Sequence, residues 1–445
     1  MKKFLSLLLA AMMLLSVMTV AHAELPAYTD LVVGESYTDI TANLKVLNHR
    51  TDLKDTKIPQ YIAEFTAMYP NVTIEYDLIT DYAQESLTRL TGGDNWGDII
   101  GIPALDKDEL SNYFLSYGAL DSISEIYNFA DAWAFDGQVY GIPSTGNAQG
   151  IVYNKAVFAA AGITALPKTP DEFIDALKAI KENTDAIPLY TNYAAGWTMG
   201  AWDAYIGGSA TGDAAFVNQK LPHTKDPFTC NEQGYGAYYV YKILYDAAAQ
   251  KLIEDDYTTT DWEGCKGMIN SGKIGCMVLG SWAYSQMVEA GPNGDDIGYM
   301  SFPITVDGKQ YASAGADYSY AINNKTSEDQ QIAAMLYVKY LTEQSGFAYS
   351  EGGIPIDKKG EYPALYAAFD GIEFVADLPA LAGEETLLGD LNSDSELRFN
   401  AGGDLKVQQI IENAFYGTKT FDEIMGEWNQ RWSDAQDYLS VDVNQ

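Results

Sequence analysis

The chain predicts an α/β fold divided between two lobes, and three observations predict it. Strand-like and helix-like segments alternate along most of its length, the pattern of layered α/β architecture. At 445 residues it exceeds the 250–300 or so at which a single hydrophobic core stops growing. No low-complexity linker or internal repeat separates two halves. Two lobes without a linker imply that the backbone passes between them more than once.

The elements follow in order. Leu44 and Val46 mark a short buried strand. Ile58, Ile62, Phe65 and Tyr69 recur at spacings of four, three and four, one face of a helix that Pro70 stops. Val72, Ile74 and Tyr76 alternate as a strand does. Residues 98–102, 139–142, 151–153 and 273–279 are further strands. Thr169-Pro170-Asp171-Glu172 reads as a capping box with proline at the first helical position, leading to Phe173, Ala176, Leu177 and Ile180 on the inner face. Thr260 with Glu263, and Thr420 with Glu423, repeat the box. Such alternation predicts largely parallel sheets.

Composition bounds the function. Residues 1–23 have the order of a secretory signal: Lys2 and Lys3, an apolar run over 4–20, then Ala21-His22-Ala23 before a cut. A retained anchor is the alternative, but the run falls short of the roughly 20 residues a spanning helix needs. Residues 1–40 hold no cysteine for a lipid anchor. The protein is therefore expected outside the cytoplasmic membrane, as an extracellular, surface or periplasmic protein. The net charge of −35 repels nucleic acid and anionic membrane. Three cysteines, an odd number, exclude a fully paired framework, and Cys276 in its strand reads as a buried thiol. No cysteine–histidine spacing matches a zinc site, and no cofactor is expected. The run Asp390, Asn392, Asp394, Glu396 resembles the start of a calcium loop, but Ser395 and Ala401 replace the glycine and glutamate it needs, which favours a solvated acidic loop.

The stretch 137–155 reads GQVYGIPSTGNAQGIVYNK and continues through Phe158, Ala161-Gly162-Ile163 and Pro167 to Phe173. Asn270-Ser271-Gly272-Lys273, Gly280-Ser281-Trp282, Phe302-Pro303, the run 313–318 and Gly352-Gly353-Ile354-Pro355 follow in sequence. Their order and spacing resemble the extracellular solute-binding proteins of family 1, the maltose-binding-protein-like sugar-binding components of ABC importers. The resemblance implies a periplasmic-binding-protein-like fold, with a hinge of about three crossings and a cleft between lobes. We place the crossings near residues 143–146, 281–284 and 343–347. The first lobe then comprises 24–144 with 283–344, and the second 145–282 with 345–445. The resemblance further implies a monomer that binds a carbohydrate without catalysis and hands it to ABC permease subunits.

A sugar offers C–H faces to planar aromatics and hydroxyls to acceptors and amides. Trp282 ends the GSW turn, where the family commonly stacks an aromatic; hinge packing is the alternative. Trp96 and Asp98 stand at a strand entry, Asp98 resembling the family's PD aspartate with glycine in place of proline. Asn147 sits where the family often places a polar cleft residue. Trp197, Trp202 and Asp203 lie on a polar, glycine-containing stretch, and Asp317 and Tyr318 follow a glycine-containing turn. Arg50 and Asp52 follow the first strand; they suit hydroxyls or pair with each other. Trp133, Trp262, Trp428 and Trp432 read as packing residues. Two other readings stay open. One is the same fold holding a peptide, polyamine or metal complex, an amine ligand calling for carboxylates around Asp52, Asp98 and Asp317; the other is a secreted glycoside hydrolase, for which two carboxylates suffice.

Overall fold

The computed structural model describes residues 25–80, 82–93, 96–400 and 402–443. The expected export segment lies outside the described residues. Among those described, no helix is long and apolar enough to cross a membrane.

Two sheets organise the chain. The first runs in the order Val72–Leu78, Ala42–Asn48, Ile99–Gly101, Ser319–Ile322, Ile142–Pro143. Its first three strands are parallel, with Ala42 opposite Val72 and Val46 opposite Ile99. Apolar side chains cover both faces. One face packs Phe65 of helix Lys57–Met68 and Leu336 and Tyr337 of helix Glu328–Glu343. The other packs Tyr82, Leu90, Trp96 and Phe114.

The second sheet is built around Gly146–Asn154. Three strands, Ile274–Gly280, Ile297–Ser301 and Tyr311–Ala316, pair with it antiparallel. Ile187–Leu189 and Glu373–Ala376 add parallel edges. The sheets are therefore mixed rather than largely parallel: the long strand Gly146–Asn154 runs opposite to its neighbours in the second, and the returning strand Ser319–Ile322 runs opposite to its neighbours in the first. The larger core of this lobe gathers Phe173, Leu177, Tyr241, Trp428 and Trp432, as the spacing of the last helix predicts. A smaller core on the other face holds Ala148, Val152, Met287, Tyr299 and Phe369.

The capping signals divide. Thr420 and Glu423 form a complete box on Phe421–Tyr438, and the Thr169 side chain caps Pro170–Asn183. The helix Trp262–Asn270 starts one residue later than expected: Asp261 is its cap, and the Thr260 hydroxyl accepts from Ala194 N at 2.8 Å instead. The acidic run at 390–396 is largely helical, within Leu387–Ser395, rather than a loop.

The backbone passes between the sheets at three places, two of them not where the resemblance put them. The first is 144–145, between Pro143 in the first sheet and Gly146 in the second. The second is 317–318, since residues 297–316 remain in the second sheet and Ser319 enters the first. The third is a longer stretch after helix Glu328–Glu343 that touches both lobes: Ile354 joins the second lobe's core, residues 356–358 bond back to Asn128 and Ile126 of the first, and Tyr366 is in the second again. The boundaries at 281–284 and 343–347 are corrected accordingly. The three passages are hydrogen-bonded to one another. Ser144 N donates to Tyr318 O at 2.9 Å and Asp317 N to Thr145 O at 2.8 Å. On the opposite side Gly146 N donates to Ile354 O at 2.8 Å, and Ile354 N returns to Gly146 O at 2.6 Å.

Close approach of the passages depends on glycine. A Cβ on Gly353 would lie 1.8 Å from Thr145 Oγ1, and one on Gly146 would lie 2.3 Å from the Phe129 ring. Gly353→Ala is expected to lower unfolding stability by roughly 3 kcal/mol, the upper end for overpacking, and a denaturant melt checks this.

Candidate functional site

The strand Gly146–Asn154 leaves the hinge with Asn147 and Gln149 on one face, since successive side chains point to opposite sides. Asn147 Nδ2 donates to Asp317 Oδ2 at 3.1 Å, and Asp317 Oδ1 accepts from Tyr318 N at 2.7 Å. Gly315 stands opposite Asn147 in the ladder, and a Cβ there would meet nothing within 4 Å. The absent side chain leaves open space over this polar floor. Gln149 pairs with Gly280, and a Cβ on Gly280 would lie 2.6 Å from Trp282 Nε1 and 3.3 Å from Gln149 Oε1. Glycine at 280 thus lets the indole lie beside the amide. Ser281 fixes the turn: its N donates to Ala148 O at 2.8 Å, and its Oγ accepts from Ala148 N at 3.1 Å.

Above the floor on the second lobe, three indoles meet. Trp197 and Trp262 are edge to face at 5.0 Å between ring centres, and Trp282 lies 5.7 Å from each. Trp197 is 44% exposed although it touches two other tryptophans. An apolar ring of that size left open is unusual unless it awaits a contact.

The first lobe contributes another ring group. His49 lies 4.5 Å from Tyr318 and 5.6 Å from Tyr82, and Tyr82 meets Tyr318 edge to face at 5.3 Å. Tyr82 is fixed by its hydroxyl, which donates to Gly101 O at 2.6 Å. Burial pushes the His49 imidazole down to about 4, against the pull of nearby Asp317, so the ring is neutral at ordinary pH.

The expected site residues separate into three groups. Asn147, Trp197, Trp282, Asp317 and Tyr318 belong to this assembly. Arg50 and Asp52 stand next to it but bind each other. Arg50 Nε donates to Asp52 Oδ1 at 2.9 Å and Nη2 to Oδ2 at 2.7 Å, while Nη2 also engages Glu351 near the third passage. Trp96, Asp98, Trp202 and Asp203 lie elsewhere. Asp98 enters its strand at the edge away from the hinge, accepts from Lys45 N at 2.8 Å, and is 3% exposed; Trp96 packs on Phe114 at 5.8 Å. Trp202 is buried against Phe302 and Tyr205. Asp203 is sealed in the second lobe, paired with Lys406 Nζ at 2.5 Å and taking the Tyr241 hydroxyl at 2.6 Å.

Sequence reasoning missed His49, Tyr82, Gln149 and the role of Trp262. Trp262 sits at the first turn of a helix whose cap residue, Asp261, donates its N to Tyr190 OH at 2.9 Å, and this aims the indole at Trp282. No local motif signals that contact. Cys265 and Cys276 are buried, with burial pushing the Cys265 thiol up to about 12. Among the described residues no group of acidic, histidine or cysteine side chains could hold a metal ion.

Glu254 braces the loop that carries Trp197. It is 4% exposed and accepts from Thr191 N at 2.9 Å and from the Thr191 hydroxyl. Asn192 follows in a left-handed conformation, and its carbonyl takes the Thr198 hydroxyl at 2.9 Å.

Comparison with known proteins agrees with this geometry. The family model for bacterial extracellular solute-binding proteins matches residues 51–346. A binding protein of an ABC transporter from Bifidobacterium animalis subsp. lactis, solved with mannobiose, is 49% identical, with a TM-score of 0.90 over 93% of this chain and 99% of that one. A second protein of that organism, described as manno-oligosaccharide specific and solved with mannotriose, is also 49% identical, with a TM-score of 0.89 over the same shares. The multiple sugar-binding protein of Streptococcus mutans is 24% identical over 71% of this chain and 75% of its own length.

Two stability tests follow from the buried charges. Burial holds the Glu254 carboxyl up at about 7 against an ordinary 4.5, with the Thr191 hydrogen bonds opposing it. The folded state therefore binds the extra proton, and stability falls as pH rises from about 4.5 to about 7, by about 3 kcal/mol in full. Glu254→Gln should flatten that slope in urea titrations across the same range. Asp203→Ala leaves the Lys406 ammonium buried and unpaired, and should cost about 3–5 kcal/mol of unfolding free energy in the same assay.

Proposed function

The chain belongs to the bacterial extracellular solute-binding protein family, and from that premise we propose that it is an exported receptor for short manno-oligosaccharides that delivers them to the permease subunits of an ABC transporter. The observation that carries this reading is the open indole group of Trp197, Trp262 and Trp282 above a floor of amide and carboxylate groups, Asn147, Gln149 and Asp317. Indoles bury a sugar's C–H faces at little cost in rotamer freedom, and the floor accepts its hydroxyls. Two relatives at 49% identity were solved with mannobiose or mannotriose, which supports the choice of sugar.

In this reading the lobes divide at 144–145, at 317–318 and within the stretch between Ile354 and Tyr366. Ligand touching both lobes favours the closed form and shifts the hinge equilibrium toward it. The receptor acts as a monomer and does no chemistry on its cargo. A polyamine would need several carboxylates unpaired by cations; Asp52 is bound by Arg50 and Asp98 lies at the strand end away from the hinge, which leaves Asp317 alone and favours the sugar.

Isothermal titration tests the proposal. Mannobiose and mannotriose should bind at micromolar concentration or tighter, and silence toward every carbohydrate in a broad panel would sink it. Trp282→Ala should weaken mannobiose binding by about 2 kcal/mol, ~30-fold, as loss of a buried tryptophan anchor does, with the melting curve little changed.

A further inference from the structure

His49 is a polar group without a partner at a site otherwise well supplied with them. Its Nδ1 is buried and has no hydrogen-bond partner among the described residues. The ring is clamped by Tyr318 at 4.5 Å and Tyr82 at 5.6 Å, and its backbone carbonyl holds the next turn through Thr51 N at 2.7 Å. Burial, joined by the nearby Arg50 charge, outweighs the pull of Asp317 and Asp52 and keeps the imidazole neutral.

A neutral imidazole has one donor and one acceptor nitrogen. A buried lone pair left unpaired costs less than a buried N–H left unpaired, which is why orphan N–H groups are the rarer kind. The proton therefore resides on Nε2, and the sealed Nδ1 fixes the tautomer. Each sugar hydroxyl both donates and accepts. The floor already supplies acceptors in Asp317 and in the carbonyl oxygens of Asn147 and Gln149. The Asn147 amide donates to Asp317 at 3.1 Å and the fork of Arg50 is held by Asp52 and Glu351, so on the first-lobe side of the Asp317 carboxylate His49 is the donor whose direction is fixed, clamped between two tyrosine rings.

We propose that His49 is a specificity-determining residue that donates a hydrogen bond from Nε2–H to one hydroxyl of the bound sugar, the same hydroxyl that donates to Asp317. This rests on the carbohydrate reading given above. A hydroxyl gripped from both sides in this way is distinguished from its epimer, because moving it breaks two directed bonds at once.

The test is a double cycle between protein and ligand. Mannobiose and its series of monodeoxy analogues are titrated calorimetrically into the full chain and into His49→Phe, which keeps a ring between the two tyrosines but has no nitrogen. The variant should bind mannobiose about tenfold more weakly, the size of one hydrogen bond. One deoxy analogue should cost the natural protein about tenfold or more and lose markedly less on His49→Phe. Unchanged affinity of the variant, or losses that simply multiply for every analogue, overturns the proposal. If His49→Phe does not fold, His49→Gln is read in the same cycle: the amide should restore part of the affinity for mannobiose but respond to the same single analogue. Absence of sugar binding by the natural protein overturns the carbohydrate reading and this inference together; binding by it with an indifferent His49→Phe overturns this inference alone.

Discussion

The hydrogen-bonded meeting of three backbone passages is the constraint on which the rest of this molecule depends. Residues 144–146 run between 317–318 on one side and Ile354 on the other, joined by four backbone hydrogen bonds of 2.6–2.9 Å. These bonds make the hinge a narrow ribbon rather than a loose tether. Glycine at 146 and 353 lets the strands approach closely enough to form it. Each lobe has its own sheet with apolar cores on both faces, so bending concentrates at the ribbon while the lobes move as units.

The floor of the site is an outgrowth of the same ribbon. Asn147 is one residue beyond the first passage, Asp317 and Tyr318 are the second, and Ser281 is bound to Ala148 by two hydrogen bonds. A ligand resting there touches the part of the chain whose geometry sets the angle between lobes. In the proposed receptor, binding and closure would therefore be coupled through shared residues, with no long path between them.

The charged residues show how differently one chemical group is used. Asp317 faces the floor with both oxygens engaged yet lies next to open space. Asp203 is a buried counterion to Lys406. Asp98 stands at the entry of a central strand of the first sheet, accepting from the Lys45 backbone N. Glu254, buried behind the Trp197 loop, orders the backbone at Thr191 at a cost in desolvation. The proposed binding surface is thus a small part of a strongly acidic chain, and the overall charge of −35 says little about it.

By itself the sequence determined what depends on near neighbours along the chain. Period-two and period-3.6 patterns located Ala42–Asn48, Lys57–Met68, Val72–Leu78 and Phe421–Tyr438, because burial of one face is written into local spacing. The order of short motifs pointed to the family and brought Trp282, Asn147 and Asp317 into view. The strand Gly146–Asn154 was read too short, since its glycine-rich first half has little strand propensity and is held by pairing with three distant strands. Only the tertiary structure decided where the chain recrosses, because a crossing is defined by the partner a backbone segment bonds to, and that partner is far away in sequence. The same applies to the tryptophans. Trp197 and Trp202 are five residues apart in similar surroundings, yet one stands open beside Trp262 and Trp282 and the other is sealed against Phe302. Exposure is settled by what folds over a side chain, and no local spacing carries that information.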